Sequence, residues 1–197
     1  GARVILSTVA VNLADCPPFA SEEPAALAPD VRAAWQAACD RGIAAQEAGD
    51  PETARAAFRQ ALALFDRHAG LVHRLAQAEQ AAGDLAAARA AYRRARDLDT
   101  QQFRADSRLN DIVRAVAKDK DVELVDAEAA FAAASPERGA PGEELFLDHV
   151  HFTFEGTRLL AGLFAAALRG AEAAEIPSPE TCRRLMFFTP WAERQQA

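Results

Sequence analysis

Apolar positions along this chain switch period several times, and each switch marks a change of element. Residues 2–11 (ARVILSTVAV) form an unbroken apolar, β-branched run, the pattern of a buried parallel strand. Pro17-Pro18 ends any extension of that strand, and Pro24 and Pro29 keep the chain irregular to about residue 30, where Asp30 is placed to cap a helix. From residue 35 to residue 100 small and apolar residues recur at helical spacing. A further amphipathic helix is predicted over 104–117, with Leu109, Ile112, Val113 and Val116 on one face. Residues 121–126 (DVELVD) alternate polar and apolar as a short strand does, and 127–134 read as a brief helix. A turn-rich loop follows at 135–142 (SPERGAPG), then a polar motif segment, then a helix over 153–168 carrying Leu159, Leu160, Leu163 and Phe164. Pro177 and Pro179 interrupt the chain before a last segment with Leu185, Phe187, Phe188 and Trp191.

The helical stretch repeats itself. Gly49-Asp50 aligns with Gly83-Asp84 at an offset of 34 residues, and the same offset carries Ala54 to Ala88, Phe58 to Tyr92, Ala61 to Ala95 and Leu64 to Leu98. Gly42 and Ala76 share the small-residue site of the first helix. This resembles two tetratricopeptide repeats, in which small residues let antiparallel helices approach and Gly-Asp makes the turn between them. The aromatic at Phe58 and Tyr92 is expected to fill the gap between neighbouring hairpins. Two such repeats rarely bury enough surface alone, so the flanking segments are expected to support them.

Composition sharpens this reading. Alanine accounts for 49 of 197 residues, a bias toward close-packed helices. A net charge of −7 disfavours phosphate-backbone binding, so nucleic acid is not an expected partner. Cys16, Cys39 and Cys182 are far apart and form no C-x-x-C pair, which suggests neither a disulfide framework nor a zinc site. No run reaches the length of a membrane span. The chain opens inside a strand-like run without an initiator methionine, so it reads as a segment of something longer, and no compartment is read from its termini.

One constellation could carry chemistry. Asp148 and His151 lie three residues apart in a loop, where the carboxylate can fold back on the imidazole, accept its Nδ1 proton and leave Nε2 as a base. Such a base serves a serine nucleophile. The alternative is a loop carboxylate that only caps the following helix. His149 beside His151 lacks a third ligand at a sensible spacing, which argues against a metal pair, and His149 is expected to pack the loop or to bind substrate. Asn12 and Asp15 stand where the first strand ends, the end at which open α/β sheets place ligands, although both residues also favour turns there.

Phe146-Leu147-Asp148-His149-Val150-His151, followed by Thr153, Glu155 and Gly156, resembles the last motif block of SGNH (GDSL-type) hydrolases. More narrowly, the chain is similar to bacterial SGNH proteins that carry tetratricopeptide repeats. The resemblance implies an α/β fold: a partial parallel-sheet sandwich at 1–20 and 101–175, an inserted repeat pair at 30–100, and a helical tail at 176–197. It implies His151 as general base, Asp148 as its orienting carboxylate, an ester or acyl substrate, and no cofactor. The family's Gly-Asp-Ser nucleophile block and its oxyanion glycine and asparagine are missing. None of Ser7, Ser21, Ser107, Ser135 or Ser178 has a Gly-Asp-Ser or G-x-S-x-G context, so this chain alone is expected to lack a complete triad.

The function expected from the resemblance is therefore half of an ester hydrolase or acyltransferase. The alternative is a protein- or peptide-binding module on an incomplete scaffold. Arg41, His73 and Gln77 on the first helices of the two hairpins are then the candidate contacts, with Gln36, Gln46 and Gln80 beside them.

Overall fold

The computed structural model describes residues 2–169 and 177–185. The protein is mostly helical, with paired helices and a small two-stranded parallel sheet. It divides into two compact units. One comprises residues 1–12, 108–134 and 141–197; the other comprises 13–107 and 135–140.

The second unit holds the repeats as two helical hairpins, α1 (Pro29–Glu47) with α2 (Pro51–Leu64) and α3 (Ala69–Ala81) with α4 (Leu85–Asp97). Both hairpins turn the same way for the same reason. Gly49 and Gly83 take positive φ (71° and 83°), which glycine adopts without a Cβ penalty. The next residue then caps the second helix, with Asp50 Oδ1 accepting from Thr53 N and Asp84 Oδ1 from Ala87 N, each at 3.0 Å. Helix α1 starts differently from the sequence expectation: Ala28 is its N-cap and Pro29 its first residue, which leaves Asp30 as an acid in the first turn. The core is alanine-rich around Trp35, Phe58, Leu62, Leu71 and Val72.

The repeat aromatics are both buried. Phe58 is fully buried against Gly42 of its own hairpin, where a Cβ would overlap the ring. Tyr92 packs edge-on to His73 of α3 and donates from its hydroxyl to Gln80 Oε1 at 2.8 Å. Each ring thus packs on the first helix of its own hairpin.

The irregular segment before α1 supplies the expected support. Asp99, after α4, accepts from the N–H groups of Phe19, Ala20 and Gln101. Arg104 donates to the carbonyls of Cys16 and Pro17 and pairs with Asp99 at 3.4 Å, both charges being buried. Ser21 Oγ accepts from Gly70 N at the start of α3. Residues 13–23 therefore form a strap along the first helices of the hairpins.

In the other unit β1 (Ile5–Ser7) pairs in parallel with β2 (Glu123–Val125). The first strand is shorter than the apolar run suggested, because its continuation is taken by other partners. Val9 exchanges N–H and C=O bonds with the Asn110 side chain, and Asn12 N donates to His149 O. Helix α5 (Ser107–Asp119) departs most from expectation. It buries Asn110 and Ala117, while Leu109, Ile112 and Val116 are 45%, 50% and 42% exposed. The paired amide of Asn110 turns its own face of the helix onto the chain that continues β1, and the apolar stripe is left outside. Helices α6 (Ala127–Ala134) and α7 (Phe154–Arg169) pack together, and α7 also packs on β2; a short α8 (Pro179–Leu185) follows. Phe187, Phe188 and Trp191 lie outside the described residues.

Candidate functional site

Asp148 and His151 occupy the tip of a loop that is closed at its base. Phe146 and Phe152 form an antiparallel bridge, and Leu147 N donates to His151 O at 2.8 Å. The two rings cluster with Phe131 of α6 at centroid distances of 5.2–5.5 Å, so the loop is pinned by its own aromatics. Gly156 in the first turn of α7 lies against the Leu145 carbonyl, closely enough that a Cβ would overlap it. Capping of α7 falls to Thr153, whose Oγ1 accepts from Gly156 N at 3.2 Å. Asp148 is therefore not the cap, and its carboxylate serves the loop.

Asp148 Oδ1 accepts from the N–H groups of Val150 (2.9 Å) and His151 (2.8 Å), while Oδ2 lies 2.7 Å from His151 Nδ1. Partial desolvation works to raise the Asp148 pKa. The two backbone N–H groups and the His151 ring outweigh it and hold the carboxyl well below the usual carboxylate range. An ionised Asp148 fixes the proton on His151 Nδ1, which leaves Nε2 as the acceptor on a side chain that is 73% exposed. Asn12 braces the loop by donating from Nδ2 to Asp148 O at 3.1 Å. His149 Nδ1 is 3.6 Å from Asp148 Oδ1, and its ring is 6.4 Å from that of His151. Among the described residues no group of three or more His, Cys, Asp or Glu is arranged to hold a metal ion. Several serine hydroxyls are committed elsewhere: Ser7 to Thr8 O, Ser21 to Gly70 N, Ser107 to Arg96 and Ser178 to Thr181.

The repeats carry a second arrangement. A cavity of about 710 Å³ lies between α1 and α3, with Asp15, Pro17 and Glu23 of the strap along it. His73 and Gln77 line this cavity, whereas Arg41 donates to Gln60 of α2 and is not part of the lining. Gln46 joins the two first helices, donating to Gln77 Oε1 and accepting from Arg74. Asp15 is paired with Arg138 at 2.5 Å. His68 caps α3, its Nδ1 accepting from Leu71 N, and packs on Trp35.

His73 is buried, and burial pulls its pKa from 6.5 down to about 4; Arg104 adds to this, while the Leu13 and Ala14 carbonyls and Asp15 oppose it. The ring is neutral at pH 7. His73 Nε2 and the Trp35 Nε1 donor are both buried without a hydrogen-bond partner. Each such orphan costs about 1–3 kcal/mol. Sequence reasoning named His73 but missed Trp35, because neither the strap nor the cavity has a periodic signature. The nearest signal is an indole on an alanine-rich helix.

No helix among the described residues is long and apolar enough to cross a membrane. No curated protein and no solved structure matches the chain. Residues 45–122 match the family model described as tetratricopeptide repeat, from the end of α1 through α5, so the repeat region, less than half of the chain, is similar to that family.

Proposed function

We propose that the repeat region captures a partner protein on the face formed by α1 and α3. The observation that carries this reading is the cavity of about 710 Å³ between the first helices of two hairpins in a region that matches a tetratricopeptide repeat. Hairpin stacks of this kind present one helix of each pair on a common surface, and that surface is where a partner contacts several repeats at once. His73 and Gln77 are the contacts assigned here, with Arg41 at the margin. A photo-crosslinking residue at Gln77 tests it against one at Ala90, on the exposed side of α4. Capture predicts one discrete adduct from Gln77 and none from Ala90, with the adduct re-formed from the purified partner. Equal adducts at both positions, or none at either, would contradict it.

A second reading is favoured by one specific geometry, the 2.7 Å contact of His151 Nδ1 with an ionised Asp148. We infer from it the base half of an acyl-transfer site of the SGNH type. In that reading His151 Nε2 removes the proton of a hydroxyl nucleophile supplied from outside these residues, and Asp148 stabilises the imidazolium that forms. Asn12 and His149 are its substrate-side neighbours. Its fold counterpart is the parallel pair β1–β2 read as part of a larger sheet. The test is fluorophosphonate labelling of the full natural gene product. Labelling lost on His151→Ala supports the reading, and labelling that survives it, or none at all, contradicts it.

A further inference from the structure

We infer that Asn12 is the positioning residue of the Asp148–His151 pair, holding two consecutive carbonyls of the loop and, through them, the carboxylate that orients the His151 base. The inference rests on the acyl-transfer reading above and names the residue on which its base depends.

Two observations carry it, both within one compact unit. The first is a double contact. Asn12 follows β1 and is 4% exposed; it donates from its backbone N to His149 O and from Nδ2 to Asp148 O, each at 3.1 Å. The Phe146–Phe152 bridge and the bond from Leu147 N to His151 O close the two ends of the loop, and Asn12 holds its middle. The second is the direction that this hold imposes. In a planar trans peptide the C=O and the following N–H point opposite ways. With His149 O held on Asn12, the Val150 N–H is turned away from Asn12, and Asp148 Oδ1 accepts it at 2.9 Å beside the His151 N–H at 2.8 Å. Those two bonds orient the carboxylate so that Oδ2 meets His151 Nδ1 at 2.7 Å. Rotating the 149–150 peptide would take the Val150 donor away and free the carboxylate to turn.

An amide suits this place because it donates to a carbonyl and stays buried without charge. Aspartate would keep the shape, lose the donor and set an anion beside the Asp148 carbonyl. Asn110 supplies the comparison in the same unit. It is an equally buried amide, but its side chain bonds Val9 and not the loop.

The test uses the full chain, labelled with carbon-13 and nitrogen-15, in NMR at pH 8. Wild type is expected to carry the His151 proton on Nδ1 and to show a coupling across the hydrogen bond from Asn12 N to the His149 carbonyl. Asn12→Ala and Asn12→Asp are expected to mix the two His151 tautomers. Both should also speed hydrogen exchange at the Val150 and His151 amides about fivefold or more, as loss of one net hydrogen bond would. Asn110→Ala is expected to lower the melting temperature and to leave the tautomer and both amides as in wild type. Asn12→Asp keeps the side-chain volume if Asn12→Ala fails to fold, and the wild-type coupling needs no variant. An absent coupling, unchanged signals in the Asn12 variants, or equal changes in Asn110→Ala would overturn the role of Asn12 and leave the acyl-transfer reading in place. A wild-type His151 protonated on Nε2 would overturn both.

Discussion

At the scale of single residues, burial sets the chemistry of His73. The folded ring takes a proton only near pH 4, whereas the unfolded chain takes it near 6.5. The folded pKa is depressed, so its contribution to stability is fully present above about pH 6.5 and is lost as pH falls toward 4. The full loss is about 3 kcal/mol. Urea denaturation at pH 7.5 and 4.5 is expected to show a drop that is smaller by about that amount in His73→Phe; an equal drop would refute the assignment. Cys39, in the same cavity wall, has its thiol pushed up to about 11 by burial and by Asp40. At pH 8 it is expected to react with iodoacetamide far more slowly than Cys16 and Cys182, as peptide mass mapping would reveal. His73 could be named from the sequence because it is a polar residue on a first helix. Its neutrality could not, since it depends on how deeply the fold buries the ring, which no periodicity announces.

At the scale of elements, two glycines separate packing from propensity. An exposed helical Gly→Ala usually stabilises by about 1 kcal/mol. Gly42→Ala is predicted to do the reverse, because its methyl would enter the space of a fully buried Phe58 ring, and overpacking costs about 1–3 kcal/mol. Gly156→Ala would meet a backbone carbonyl that has no rotamer to yield. It is expected to lower the melting temperature and to shift the backbone resonances of 145–153, and unchanged resonances there would contradict the close approach. The hairpins were the most legible part of the chain, since Gly-Asp turns, small residues and aromatics repeat at one offset. Helix α5 was legible as a helix and misleading as to its buried face, because one amide, Asn110, overrules three apolar residues. The strand was overextended for a similar reason. An apolar run shows that a segment can be buried but not where its backbone partners stop.

At the scale of the molecule, a pair of repeats is held by something other than more repeats. Asp99 and Arg104 fasten the strap to the end of α4, and both charges are buried. Removing one partner would leave the other charge uncompensated, so Arg104→Ala is expected to destabilise the fold by about 3–5 kcal/mol, measured by urea denaturation. A loss below about 1 kcal/mol would show that the strap is dispensable. The need for such support was visible in the repeat number, but the residues that supply it lie in irregular chain. The Asp148–His151 pair was legible as a spacing, and its 2.7 Å contact and its independence from the helix cap required coordinates.

The most direct measurement is an imidazole nitrogen NMR spectrum of the four histidines at pH 7, recorded with and without the partner crosslinked at Gln77. His73 is expected to be neutral, and its signals are expected to shift when the partner covers the face of α1 and α3, while His149 and His151 stay where they are. A protonated His73, or a partner that moves His149 and His151 and leaves His73 unchanged, would contradict capture on that face.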